Sequence, residues 1–581
     1  MDLAKRTTRK VAGLLQFAIG VASVLLVLFI GSFTRLRADL TSDKRYTLTP
    51  ATMELVDSLK DVVFVKIYLS GELPADLQRL STSLRDLLDE MRVRNPDLLQ
   101  YEFTDPSAGL DEETRNKAYE QLQKEGLQYT SIRTRGKGSQ SEVIVWPGAI
   151  ISFQGKKLPL QLLKSQLRAT DAETVNRSIN NLEYDLASAI RQITATARAK
   201  VAFIEGQGEL DRLPVQSLTD ALNEQYDVSR VRLDGRIDAL SDRPDGVTFR
   251  LNKFDAVIVA KPDSLFGEKD RFILDQFVMN GGKVLWALDA MDPHLDSLRV
   301  NQFSMATPLE LGLDNLLFAY GVRINKNLLL DKQCAPIQLY TRPYGDQPKL
   351  ETRPFPFEPL ITPGGHHPIV ANIDPVRLRM ASSIDTIGID SAHSTILLTT
   401  SRYTRVLRNP VRISLAVVDM DLGLEQNNTP FQTVAVLTQG KFRSAFADKL
   451  DMPDSVLKAI GYREWSRPTA QITISDGDAL ANPVDRERGT YYPLGYERAA
   501  RAKIFGNREF FLNAMNYLLD DKSLISIRSR AITLRQLDPH LIETDRVQVQ
   551  VANVVLPILI GLFGALAFHL LRKRRYTRPD A

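Results

Sequence analysis

The 581-residue chain has a single cysteine, Cys334, which excludes an intramolecular disulfide framework and any cysteine-rich zinc site. Its six histidines are His294, His366, His367, His393, His540 and His569, and none stands in a His-x-x-x-His or His-Glu-x-x-His spacing. His366 and His367 are neighbours, and neighbouring side chains point apart on regular elements, so they make a poor chelate. Gly-x-Ser-x-Gly is missing, and so is a Gly-x-x-x-x-Gly-Lys-Ser/Thr phosphate loop, so the chain is neither a serine hydrolase of that type nor an ATPase. No nucleophile, base and orienting group can be named together, and the chain reads as a non-enzyme with no cofactor and no metal. Net charge is also scarce: 74 Lys+Arg against 70 Asp+Glu leave +4. The first ten residues sum to +3 and the last ten to +4, which leaves −3 for 11–571. The basicity belongs to the tails, and nucleic-acid binding loses its electrostatic argument. A mean hydropathy of −0.17 excludes a polytopic membrane protein but leaves room for a few spans.

Two long apolar runs are present. Val11–Phe33 is free of charge for 23 residues, and at 1.5 Å per residue it crosses a hydrocarbon core of roughly 30 Å. Thr34-Arg35-Leu36-Arg37 follows where a signal peptide would offer small residues for cleavage, so an uncleaved anchor is expected. Val549–Leu571 is a second run of that length, stopped by Arg572-Lys573-Arg574-Arg575. Lys/Arg outside both runs puts the tails 1–10 and 572–581 in the cytoplasm by the positive-inside rule. The expectation is a bitopic protein of the bacterial inner membrane, with residues 34–548 in the periplasm.

Within that body, 34–165 shows a β-α-β-α-β-β order. Thr49-Pro50 reads as N-cap and first residue of a helix, and Leu77, Leu80, Leu84, Leu87 and Met91 recur at helical spacing. Glu142–Trp146 and Ala149–Phe153 suggest a hairpin about Pro147-Gly148. This order suits a thioredoxin-like layer, though the Cys-x-x-Cys of its redox members is absent. A connecting helix is expected over 166–198, capped by Thr170, with Val175, Ile179, Leu182, Leu186, Ile190 and Ile193 on one stripe. From 199 to 300 short apolar strands alternate with helices, as in a doubly wound, flavodoxin- or Rossmann-like parallel sheet. Asn280-Gly281-Gly282 is a helix stop. Eight prolines between 336 and 368 argue for an irregular Pro-rich lobe inserted over 301–430. The sheet resumes over 431–525, and 526–548 is a juxtamembrane linker before the span at 549–571.

Two turns after strands are the candidate ligand edge. Glu205-Gly206-Gln207-Gly208-Glu209 follows the first strand of the second α/β unit, and a Gly-x-Gly turn can present amides to an anion. It lacks the third glycine of a dinucleotide fingerprint, and flanking glutamates repel phosphate, so a tight strand-to-helix turn is the plainer reading. Asp476-Gly477-Asp478 also follows a strand and, if the later segment rejoins the sheet, sits at the same carboxyl edge, where open α/β sheets bind ligands. Glu205, Gly206, Gly208, Glu209, Asp476 and Asp478 are therefore the candidate residues: an acidic cluster suited to a cation, or ordinary turns and caps.

Several stretches resemble one family. Asp39-Leu40-Thr41-Ser42-Asp43-Lys44-Arg45-Tyr46-Thr47-Leu48, Asn280-Gly281-Gly282-Lys283-Val284-Leu285-Trp286, Tyr320-Gly321-Val322-Arg323-Ile324-Asn325 and Phe505–Ala514, with the two-anchor layout, are similar to the GldG family. These are gliding-motility-associated, substrate-binding-like subunits of an ABC transporter in Bacteroidota. The resemblance implies a partner permease, a separate ATPase and contacts with envelope or motility proteins. It also implies an extracytoplasmic α/β domain of the type seen in intraflagellar-transport proteins, and it supplies no ligand residues. The function expected is thus that of a membrane-anchored auxiliary transporter subunit. A structural or coupling protein of the envelope without a small ligand is the alternative, and it would fill the sheet's carboxyl edge with side chains. A third reading is an enzyme assembled from distant acids such as Glu205 and Asp476.

Overall fold

The computed structural model describes residues 47–529 except 72, 110, 137–138, 164–170, 295, 302, 342–348, 366, 451 and 521–523, with scattered helical residues between 15 and 29 and residues 546–576. The tail 1–10, most of the run 11–33, the cap at Thr170 and most of the linker 526–548 lie outside the described residues.

The chain divides into residues 1–531 and 532–581. In the second unit one helix runs from Arg546 to Tyr576. Its stretch Asn553–Leu571 has a mean hydropathy of 2.4 and is 19 residues long, enough to anchor the chain in a bilayer.

The first unit opens with α1 (Pro50–Asp57), where Thr49 is the N-cap and accepts from the Thr52 amide while Pro50 fills the first turn. Strands β1 (Val63–Ile67) and β2 (Leu99–Phe103) are parallel. Helix α2 (Ala75–Arg94) buries Leu77, Leu80, Leu84, Leu88 and Met91 in the same core as Val63, Val65 and Ile67. Each such side chain contributes about 1.5–3 kcal/mol on burial. Helix α3 (Glu112–Lys124) follows, then β3 (Thr130–Gly136), β4 (Ser139–Val145), β5 (Gly148–Phe153) and β6 (Lys156–Gln161). Here the hairpin expected about Pro147-Gly148 is corrected. β4 pairs with β3, while β5 pairs with β1 and β6, giving the sheet order β2-β1-β5-β6. The β5–β6 turn is Gln154-Gly155, both with positive φ, a backbone matched to the twist of a two-residue hairpin. Helix α4 (Asp171–Thr194) lays Val175, Leu182, Leu186, Ile190 and Ile193 into this same core.

The second sheet has seven strands. In chain order these are β7 (Lys200–Glu205), β8 (Asp227–Arg232), β9 (Ala256–Ala260), β10 (Lys283–Ala287), β13 (Ala392–Thr399), β14 (Thr433–Gly440) and β15 (Thr469–Ile474). Their spatial order is β13-β14-β15-β10-β9-β7-β8. The five strands from β15 to β8 are parallel, and β14 and β13 close one edge antiparallel. Ala256–Ala260 is buried along its whole length, as a strand covered on both faces must be. Helices α5 (Gln216–Asn223) and α7 (Asn507–Leu519) cover one face, where Phe203, Ile258, Phe510 and Phe511 meet. Helix α6 (Glu268–Met279) covers the other with Trp286, Phe277 and Val436, and ends at Asn280 with Gly281 left-handed.

The segment expected to be irregular holds two long strands, β11 (Cys334–Thr341) and β12 (Lys349–Ile361). Proline does not break this hairpin. Pro336 faces Pro354, Cys334 faces Pro359, and the register shifts between Cys334 and Pro336.

Candidate functional site

At the carboxyl edge of the parallel strands the connections converge on the segment after β9. Lys261 there adopts a left-handed backbone with φ of 52°, a costly conformation for a residue with a Cβ. Its Nζ lies 2.7 Å from Asp478 Oδ2 and 3.6 Å from Asp289 Oδ2. Asp289 follows β10 and accepts from the Gly477 amide at 2.6 Å. Asp476 is fully buried and accepts from the Arg379 amide at 2.5 Å and the Asp478 amide at 2.9 Å. Burial pushes Asp289 up to about 6, and burial together with the neighbouring Asp289 and Asp478 pushes Asp476 well above the usual carboxylate range. Lys261 is raised despite its burial by Asp478 and Asp289. Gly477 lets the turn close onto this strained segment: a Cβ there would stand 2.5 Å from Lys261 Cβ.

Asp476 and Asp478 line a cleft of about 1490 Å³. Its walls come from far along the chain: Pro336–Gln338 and Glu358 from the β11–β12 hairpin, Arg377–Arg379, and the stretch from Ala481 to Asn507. Glu358 binds both arginines, accepting from Arg377 Nε at 2.9 Å and Arg379 Nε at 3.1 Å. Arg377 also reaches Glu497 at 3.1 Å, and its guanidinium lies 5.3 Å from the Phe505 ring. Asn507 pins the Arg377 backbone from both sides, accepting from its amide at 3.0 Å and donating to its carbonyl at 2.8 Å. The Phe505-Gly506-Asn507 motif therefore shapes the arginine wall. On the rim, Tyr492 and Tyr496 stack with ring centroids 4.6 Å apart. Met380 and Arg501 share the left-handed backbone of Lys261, so three strained residues stand around this edge.

The other candidate turn leaves the same edge and is folded in on itself. Glu205 pairs with Arg230. Glu209 Oε2 accepts from the Gln207 amide at 2.8 Å, and burial raises this carboxyl. Gly208 has φ of 73°, and a Cβ on it would stand 1.7 Å from Asp263 Oδ1. Gly206 is also left-handed, and the residue of this turn that reaches the cleft is its neighbour Leu210. The structure thus brings Asp476 and Asp478 to the cleft and leaves Glu205, Gly206, Gly208 and Glu209 beside it. Sequence reasoning missed Lys261, Asp289, Glu358, Arg377, Arg379 and Glu497. Lys261 and Asp289 had a readable signal, since both follow buried strands of the same parallel sheet. Among the described residues no group of three or more His, Cys, Asp and Glu is placed to hold a metal ion. Burial pushes the half-buried Cys334 thiol up to about 11, which keeps it protonated.

A family described as an ABC-type uncharacterized transport system matches residues 198–514, more than half of the chain and the whole of this edge. A domain of unknown function matches residues 42–152. An uncharacterized protein of Borreliella burgdorferi is 19% identical over 575 residues, covering 96% of this chain and 98% of its own. Among solved structures, the mmIFT52 N-terminal domain covers 55% of this chain and 97% of its own at 10% identity and a TM-score of 0.29. An exo-beta-1,4-mannosidase from an Opitutaceae bacterium covers 76% of this chain and 52% of its own at 11% identity and a TM-score of 0.18. Scores this low carry no argument about fold or function.

Proposed function

Because this chain belongs to the ABC-type uncharacterized transport system family, we propose that it is a membrane-anchored auxiliary subunit working beside a separate permease and ATPase, with the carboxyl-edge cleft as its ligand site. The family gives the accessory transport role and the company of other transporter components. The finer reading is bitopic: both tails in the cytoplasm, residues 34–548 in the periplasm, and the spans in the inner membrane. The apolar helix Asn553–Leu571 and the basic residues after it support that reading at the C-terminal end. The order β2-β1-β5-β6, with β1 and β2 parallel, supports a thioredoxin-like N-terminal domain. Association with gliding motility and a Bacteroidota-type subfamily rest on the resemblance of the quoted stretches alone.

The observation that carries the binding role is the open cleft. A purely structural protein would fill the sheet's carboxyl edge with side chains, and here about 1490 Å³ is left between charged walls. Purification of the tagged full-length chain in mild detergent tests the assignment. A permease and an ATPase in fixed proportion are the expected companions; recovery of the chain without either would refute it.

A further inference from the structure

Hydrogen-bonding capacity in the cleft is lopsided. Its carboxylates are engaged inward. Asp476 holds two backbone amides, Asp478 accepts from Lys261 at 2.7 Å, and Glu358 holds Arg377 and Arg379. Glu497 accepts from Arg377 and from the Ala499 amide, each at 3.1 Å. On the rim Asp485 accepts from the Arg488 amide at 3.3 Å, and Glu487 is the exception, exposed and without a partner among the described residues. What remains open is donor capacity. Arg379, which lines the cleft, uses Nε on Glu358, while its two terminal nitrogens have no partner among the described residues on a side chain 41% exposed. Arg486 and Arg501 stand on the rim with no carboxylate partner among the described residues, and the stacked Tyr492 and Tyr496 keep free hydroxyls on the same terms.

We propose that the cleft binds an organic anion, with a carboxylate or phosphate group seated on the outer edge of Arg379 and the rest of the ligand lying against the Tyr492–Tyr496 stack. This rests on the reading of the cleft as the ligand site. A guanidinium offers two parallel N–H donors to either oxyanion, and Glu358 fixes Arg379 in place before the ligand arrives. Holding Arg379 from below leaves its outer N–H edge open to the cleft, although Glu358, Asp478 and Asp476 already offset part of its charge. The volume exceeds that of ordinary small-ligand pockets, which span roughly 300–1,000 Å³, so a solute with more than one anionic group has room.

Calorimetric titration of the full-length protein in detergent tests this, with citrate and glucose 6-phosphate as anionic probes and glucose and spermidine as neutral and cationic ones. Saturable binding of an anionic probe, none of glucose or spermidine, and at least tenfold weaker binding by Arg379→Gln are expected. If Arg379→Gln does not fold, the rim double variant Arg486→Gln/Arg501→Gln decides, with about threefold weakening expected. Unchanged affinity in a folded variant, or no binding of either anion, overturns the proposal. Saturable binding of spermidine or glucose that a cleft-blocking Gln338→Trp abolishes overturns the anion assignment while sparing the cleft as a ligand site; binding of a probe that survives Gln338→Trp overturns both.

Discussion

Two turns leave one sheet edge and reach different chemistry. Glu205–Glu209 turns inward: Glu209 Oε2 caps its own loop, Glu205 takes Arg230, and Gly208 packs under Asp263, while Glu209 Oε1 and Gln207 Oε1 are buried without a partner among the described residues. Ser475–Asp478, two strands' width beyond β9, is instead met by the hairpin and the arginines of the 331–380 region, and opens on the cleft. Both glycines, Gly208 and Gly477, fit against the one connection that follows β9, at Asp263 and at Lys261. The difference lies in what later segments bring. The same sheet edge becomes a site where long-range packing supplies walls and charge, and a plain turn where it does not.

The comparison can be broken most severely at Lys261. Replacing it with Met leaves Asp289 and Asp478 without their shared counter-charge, and chemical denaturation should record a loss on the order of 3 kcal/mol. Gly208→Ala acts on the other turn. Its left-handed backbone and the contact with Asp263 should cost about 2 kcal/mol by the same measurement, with affinity for a cleft ligand unchanged. A pH series on a single-site variant assigns part of the edge's titration to Asp289. Asp289 is raised to about 6 in the folded chain, which therefore holds a proton that the unfolded chain releases near pH 4. Stability should fall as pH rises from about 4 to about 6, and Asp289→Asn, which keeps an oxygen for the Gly477 amide, should flatten that fall; an unchanged slope would place the proton elsewhere. Glu205→Gln is the mildest change. Its partly exposed pair with Arg230 should be worth less than about 1 kcal/mol in melting experiments, and ligand affinity should not move.

Local signals carried the elements that sequence reading named well. Thr49-Pro50 starts a helix because the cap and the fixed proline φ act within one turn, and Asn280-Gly281 stops one for an equally local reason. Buried strands such as Ala256–Ala260 announce themselves by unbroken apolar runs. The β11–β12 hairpin was hidden because proline content argues against strands on average, while here the strands pair with Pro336 opposite Pro354 and a register shift after Cys334. Half of the candidate edge was legible, since Asp476 and Asp478 follow a recognisable strand. Glu358, Arg377 and Arg379 were not, because they stand about a hundred residues earlier and reach Asp476 only through tertiary packing. Their charges look like ordinary surface residues until Glu358 is seen to be buried beneath them.

On this reading the Asp476 side of the edge does the binding and the Glu205 side does not. A structure of the intact transporter complex tests it most directly. A bound solute or partner segment should lie in the cleft, touching Arg379 and the Tyr492–Tyr496 stack, with the Glu205–Glu209 turn uncontacted. An empty cleft in a fully assembled complex, with a partner seated on Glu205–Glu209, would contradict it.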